Sequence, residues 1–152
     1  MLSKEYLSDV LFRNVDEFKN PETQVLEANG LDAILELLAN LRSIEFPVAV
    51  LEGRSSGTVQ LVEGPVDTFT ESVWIMGQLG RDESEADLYE KTRRLSIQLL
   101  AGLLADARDG APELAGWDWS RTSYMKRHGG QNARGWELVL TFKENFSLLV
   151  HD

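Results

Sequence analysis

Two stretches decide the fold: residues 82–109, DESEADLYEKTRRLSIQLLAGLLADARD, and residues 136–143, WELVLTFK. In the first, Leu88, Leu95, Leu99 and Leu103 recur at helical intervals, and Leu100, Leu104 and Ala107 widen the row. Ser84 stands where an N-cap is needed and Asp87 follows three residues on, close to a capping box. Acids crowd the first turns and Arg93, Arg94 and Arg108 come later, as the helix macrodipole favours. Gly110 and Pro112 supply the stop. In the second stretch Trp136, Leu138, Leu140 and Phe142 alternate with polar or smaller residues, so one strand face is apolar. A period-2 face and a helical leucine row predict a sheet covered by one long helix.

Upstream, the period reads as strands. Residues 46–51, with Pro47 at the start, form an apolar run with two β-branched residues. Gly53-Arg54-Ser55-Ser56-Gly57 reads as a loop and residues 58–62 as a second strand. Residues 66–79 form the longest strand candidate, with Phe69, Val73 and Ile75 on one face and Thr68, Thr70, Ser72, Trp74 and Met76 on the other. Residues 1–42 read as a helical N-terminal segment packed on the sheet. Ser3 caps a first helix that places Tyr6, Val10, Phe12 or Arg13, and Phe18 at roughly helical intervals, and Pro21 ends it or begins the next segment. A second helix over 31–41 has a wide apolar face and should be well buried. Downstream of the long helix, residues 117–126 alternate loosely, residues 128–132 form a hairpin loop and residues 146–150 a last short strand or tail. Short loops between consecutive strands predict a largely antiparallel sheet. The fold class is therefore α+β, in a single domain over 1–152.

Composition narrows the function classes. Hydrophobic residues at 43% and charged residues at 26% lie near the globular average, which argues against disorder. The chain has no Cys, hence no thiol nucleophile and no thiolate zinc site. The first residues lack the basic and continuous apolar regions of a signal peptide, and no run is long enough for a spanning helix. These features predict a cytoplasmic protein with no membrane partner. A net charge of −10 repels phosphate backbones and argues against nucleic acid. The charge is uneven. Residues 82–90 carry five acids, Glu85 and Asp87 among them, and no base, whereas residues 121–134 carry Arg121, Lys126, Arg127 and Arg134 and no acid.

No motif selects a catalytic group, a cofactor or a metal. His128 sits in a Gly-rich stretch and His151 is next to last, and a solvated loop residue is the plainer reading of both. Glu83, Glu85 and Asp87 lack the spacing and turn glycine of a calcium loop and suit a helix N-terminus. Gly53 to Gly57 lacks the Lys of a phosphate loop and no helix follows it. Of Trp74, Trp117, Trp119 and Trp136, core packing suits at least Trp136, and exposed members would favour a protein partner.

The order of elements resembles the tail terminator and tail-completion proteins of long-tailed phages over residues 31–150. The matching pieces are Phe46-Pro47-Val48 entering the first strand, the long strand over 66–79, the helix from Tyr89-Glu90-Lys91 to Leu104, and Trp136 to Phe142 near the end. The resemblance implies a structural role without catalytic residues or cofactors: a ring at the head-proximal end of the tail, contacting itself and tail or head–tail connector proteins, in the host cytoplasm and then the virion. The residues before 31 depart from the shortest members. A ring needs two different complementary patches on each subunit, and the charge asymmetry nominates Arg121, Lys126, Arg127 and Arg134 against Glu85 and Asp87. The alternative is a host-encoded, non-enzymatic protein-binding module of the same fold class. In either case no specific binding to duplex DNA is expected at physiological salt. A steeply salt-dependent affinity in a fluorescence titration, traced to Arg121, Lys126, Arg127 and Arg134, would overturn that expectation.

Overall fold

The protein is described from a computed structural model that covers residues 1–40, 42–61 and 64–145. Its elements are α1 (Lys4–Asn14), α2 (Pro21–Gln24), β1 (Val25–Glu27), α3 (Leu31–Ala39), β2 (Val48–Gln60), β3 (Val66–Gln78), α4 (Glu85–Arg108), β4 (Ser123–Gly129) and β5 (Ala133–Asn145). Two short 3-10 turns, Pro112–Leu114 and Trp119–Arg121, link α4 to β4. The five strands form one mixed sheet in the order β1-β2-β3-β5-β4. Only β1 is parallel to its neighbour; the β2–β3, β3–β5 and β4–β5 pairs are antiparallel. The chain is an α+β fold, with the long helix on the sheet as the two periods predict. No helix among the described residues is long and apolar enough to cross a membrane.

Local chemistry sets the ends of the helices. Ser3 Oγ accepts the Tyr6 N–H at 3.1 Å at the start of α1, and Ser84 Oγ accepts the Asp87 N–H at 3.1 Å at the start of α4. Gly110, with φ +81°, turns the chain away after α4. One face of the sheet buries Leu138, Leu140 and Phe142 of β5 with Phe69, Val73 and Ile75 of β3 and Ala49 and Leu51 of β2. Leu95, Leu99 and Leu103 of α4 and Leu7, Val10 and Leu11 of α1 close this core. Phe69 and Phe142 are directly opposed in register and stack with centroids 5.5 Å apart. Helix α1 is tied to α4 at Asp106, which accepts the Tyr6 hydroxyl at 2.7 Å and pairs with Arg13 at 2.9 Å. The guanidinium and the hydroxyl hold the Asp106 carboxyl below the usual carboxylate range. On the opposite face a smaller core gathers Trp74, Met76, Val48 and Val50 under Ile34 and Leu38 of α3.

Several expectations are corrected. Residues 53–57 are not a loop. They continue β2 through an irregularity between Glu52 and Ser56, so the two expected strands are one. Gly57 is there because a Cβ would meet the Thr68 carbonyl at 3.0 Å and Phe69 Cβ at 3.2 Å; its glycine marks close approach, not a turn. Residues 1–42 are not only helical, because β1 joins the sheet beside β2. Helix α3 buries only Ile34 and Leu38, and Leu31 is left 54% exposed, so it is less covered than its composition suggests. Phe18 is buried outside α1, which ends at Asn14, whereas Phe12 is exposed. Residues 117–126 are not one strand, since Trp119–Arg121 is a 3-10 turn and β4 begins at Ser123. Trp117 is buried and bridges to Phe142, while Trp119 is half exposed and meets it edge-on at 6.2 Å. The segment 146–150, His151 and Leu41 lie outside the described residues.

Leu99 lies at the centre of the larger core and is fully buried. Leu99→Asp should leave no cooperative thermal transition by circular dichroism, and Leu99→Ala should cost about 2–5 kcal/mol. An unchanged melting midpoint for Leu99→Asp would remove α4 from the core.

Candidate functional site

The six charged residues nominated by the sequence do not form two separate patches. The start of α4 lies against the β4–β5 hairpin of the same chain. Arg134 Nε meets Glu85 Oε1 at 2.7 Å. Lys126 Nζ lies 4.7 Å from the centre of the Tyr89 ring, and the Tyr89 hydroxyl donates to the Arg127 carbonyl at 3.4 Å. Arg127 is also engaged with Glu137 at 2.8 Å, its guanidinium 5.3 Å from the Trp74 ring centre. Helix α4 thus returns its N-terminus to the hairpin, and of the six nominated residues Glu85 and Arg134 pair within the subunit. Asp87 is exposed in the first turn of α4. Arg121 and Lys126 are exposed, with no carboxylate at ion-pair distance among the described residues. His128 lies within β4, opposite Arg134, and is exposed.

The surface features that the sequence reading missed are the borders of the sheet. On one side β4 is an edge strand, and Tyr124 and Met125 on it are 47% and 41% exposed. On the other side β1 pairs only with Ala49, Val50 and Leu51, so the second half of β2 has no outer neighbour among the described residues. Val59 on that free edge is 50% exposed and Leu61 just beyond it 79%. Large exposed apolar side chains on an unpaired edge favour contact with another chain. The signal was present: residues 58–62 read as a strand, and Val59 and Leu61 stand in it.

A shallow hollow of about 520 Å³ is lined by Arg54, Phe69, Pro112, Gly116 and Lys143 among others. Arg54 lies over the Phe69 ring at 3.6 Å and pairs with Asp67 at 3.1 Å and Glu144 at 3.6 Å; Lys143 is 3.8 Å from Asp118. Arg54 and Lys143 are thus matched by carboxylates of the same chain. Among the described residues no group of three His, Asp or Glu side chains could hold a metal ion.

One ionisable group is out of place. Glu71 shares the parity of Phe69, Val73 and Ile75 and points into the larger core, where it is 1% exposed. Both its carboxylate oxygens accept the Leu2 N–H, at 3.3 Å each. Burial pushes the Glu71 carboxyl above the usual carboxylate range, against the pull of the positive charge at the chain start, the Leu2 N–H and Arg54. No family model matches the chain, and no curated protein matches it.

A carboxyl raised on folding favours the protonated folded state. Its contribution to stability is full below the unfolded value and is lost as pH rises through the folded one. Glu71→Gln should therefore raise the melting midpoint at pH 7 by roughly 2–4 °C, the shift of ~1 kcal/mol in a domain of this size. At pH 4 the gain should vanish. A midpoint lowered equally at both pH values would show that the carboxylate is needed as such.

Proposed function

We propose that the chain is a structural subunit of a phage or prophage tail, of the tail terminator or head–tail joining type, acting by ring assembly at the end of the tail tube. The observation that carries this reading is the pair of unpaired sheet borders, one on each side of the same sheet and each bearing exposed apolar side chains. A subunit with two unlike contact surfaces makes heterologous contacts, and these close into a ring when the rotation permits. The element order adds support by analogy: an N-terminal helical segment, two long antiparallel strands, a crossing helix and closing strands. The reading assigns no catalytic residue and no cofactor. Its partners are copies of itself and the tail or connector proteins that the ring would join.

The test is the mass of the purified protein over rising concentration, followed by electron microscopy of tails assembled with and without it. A closed ring of fixed subunit number, and tails of uncontrolled length in its absence, are expected. A protein that stays monomeric at every concentration, does not bind purified tail tubes and captures one cellular protein at 1:1 instead would favour a host-encoded binding module.

A further inference from the structure

We infer that the aromatic strip between α4 and β4 docks an acidic segment of another protein. The segment lays an apolar side chain on Tyr124 and Ile97 and sets its carboxylates on Lys126 and Arg93. The inference does not rest on the ring reading, because it uses side chains over the sheet face that α4 covers and leaves the backbone edge of β4 unused.

The strip is built from rings that the fold already holds. Tyr124 stands opposite Leu138 and Lys126 opposite Trp136, so both side chains project over the face of the larger core. Helix α4 lies on β3 and β5, and beside it Tyr124 and Lys126 are left exposed. Three rings cross the strip edge to face. Tyr89 meets Trp136 with centroids 5.8 Å apart, and Trp136 meets Tyr124 at 5.2 Å. The Trp136 Nε1–H donates to the Tyr89 carbonyl at 2.8 Å, which fixes the middle ring. Lys126 Nζ stands 4.7 Å from the centre of the Tyr89 ring, and Arg93 reaches the Tyr124 hydroxyl. Ile97 follows one turn beyond Arg93 and is exposed. Rings held by their neighbours lose little freedom on binding, and Tyr, Trp and Arg are the side chains that anchor interfaces.

The charge of the strip is opposite to that of the chain. The chain carries 25 acids against 15 bases. The strip holds Arg93 and Lys126, with Glu90 at its outer rim 3.6 Å from Arg93. Lys126 has no carboxylate at ion-pair distance among the described residues. The acids beside it are matched, Glu85 by Arg134 at 2.7 Å and Glu137 by Arg127 at 2.8 Å. Asp87, Lys91 and Arg94 are one or two residues from Tyr89 or Arg93 and so face other sides of α4. His128 is exposed on the same side of β4 and adds no acid. Arg121, before β4, lies near Asp118, which Lys143 also approaches at 3.8 Å. Two bases against one acid leave the strip net positive. A nucleic acid fits it less well, because two bases offset little of the repulsion between a phosphate backbone and a chain of net charge −10. Spaced carboxylates can each meet one of the two cations while the rings exclude water between them.

The test starts from random peptides displayed on yeast and selected on the purified chain. Sequences with acidic residues beside one large apolar residue should be enriched. A labelled peptide of that selection should bind in fluorescence anisotropy, more weakly as salt rises. Lys126→Glu and Arg93→Glu should each weaken it roughly tenfold, and Ile97→Ser should weaken it at constant salt dependence. Lys91→Glu makes the same change in net charge on the other flank of α4, where Lys91 lines a hollow with Phe46 and Gln78, and should leave the affinity unchanged. The melting midpoints of all four variants should match that of the parent. No enrichment, or enrichment of basic or purely apolar sequences, would overturn the inference. Equal losses from Lys91→Glu and Lys126→Glu would do so too, by showing an effect of net charge alone. An oligothymidine that binds more tightly than the selected peptide would assign the strip to single-stranded nucleic acid instead.

Discussion

The structure depends on one fit: the leucine row of α4 against the alternating face shared by β3 and β5. Leu95, Leu99 and Leu103 meet Leu138, Leu140 and Phe142, and Val73 and Ile75 extend the same surface. A helix repeats every 3.6 residues and a strand every two, so this match fixes both the rotation of the helix and the register of the strands. A slip of one residue in β5 would turn Glu137, Val139 and Thr141 toward α4 and send its apolar side chains to the other side. The remaining elements are placed relative to this contact. Helix α1 reaches α4 through Asp106, and α3 lies on the far face over Trp74 and Met76.

This contact was legible in the sequence because both partners are long and strictly periodic. Ser84 as cap, Gly110 as stop and the face of Trp136 to Phe142 stand where the residues put them. Trp136 sits at the rim, with its Nε1–H on the Tyr89 carbonyl at 2.8 Å, which suits a ring with one polar atom. Elements without length or period were not legible. Three residues, Val25 to Glu27, are too few to show alternation, so β1 was folded into a helical segment. The run from Gly53 to Gly57 has the composition of a turn, yet Gly57 serves close approach between β2 and β3.

The surface was read less well than the core, for a related reason. Charge counts along the chain say which groups are close in sequence, not which face each other after folding. Glu85 and Arg134 are 49 residues apart in sequence and 2.7 Å apart in space, so two of the nominated residues are partners within one subunit. What remains for partners is the free edges of β2 and β4, with a few apolar side chains beside them, and the aromatic strip between α4 and β4. Glu71 was overlooked although its parity with Phe69 and Val73 announces a carboxylate in the core. A buried carboxyl runs against the hydrophobic pattern, and such a conflict locates a place where the fold tolerates a local cost.

The position of β5 has a bearing on how the chain reaches this structure. It is the last of the described strands in sequence, yet it lies between β3 and β4 inside the sheet. As the chain leaves the ribosome, β2 and β3 can form their hairpin early, but the inner border of β3 waits for residues some sixty positions downstream. Helix α4 emerges in between and finds only part of the surface it will cover. Until residue 145 is free, the nascent chain holds an incomplete sheet with a bare leucine row beside it, the kind of intermediate that other chains can capture. The β3–β5 pairing is non-local, and non-local pairing of this sort sets a slower pace than helix formation.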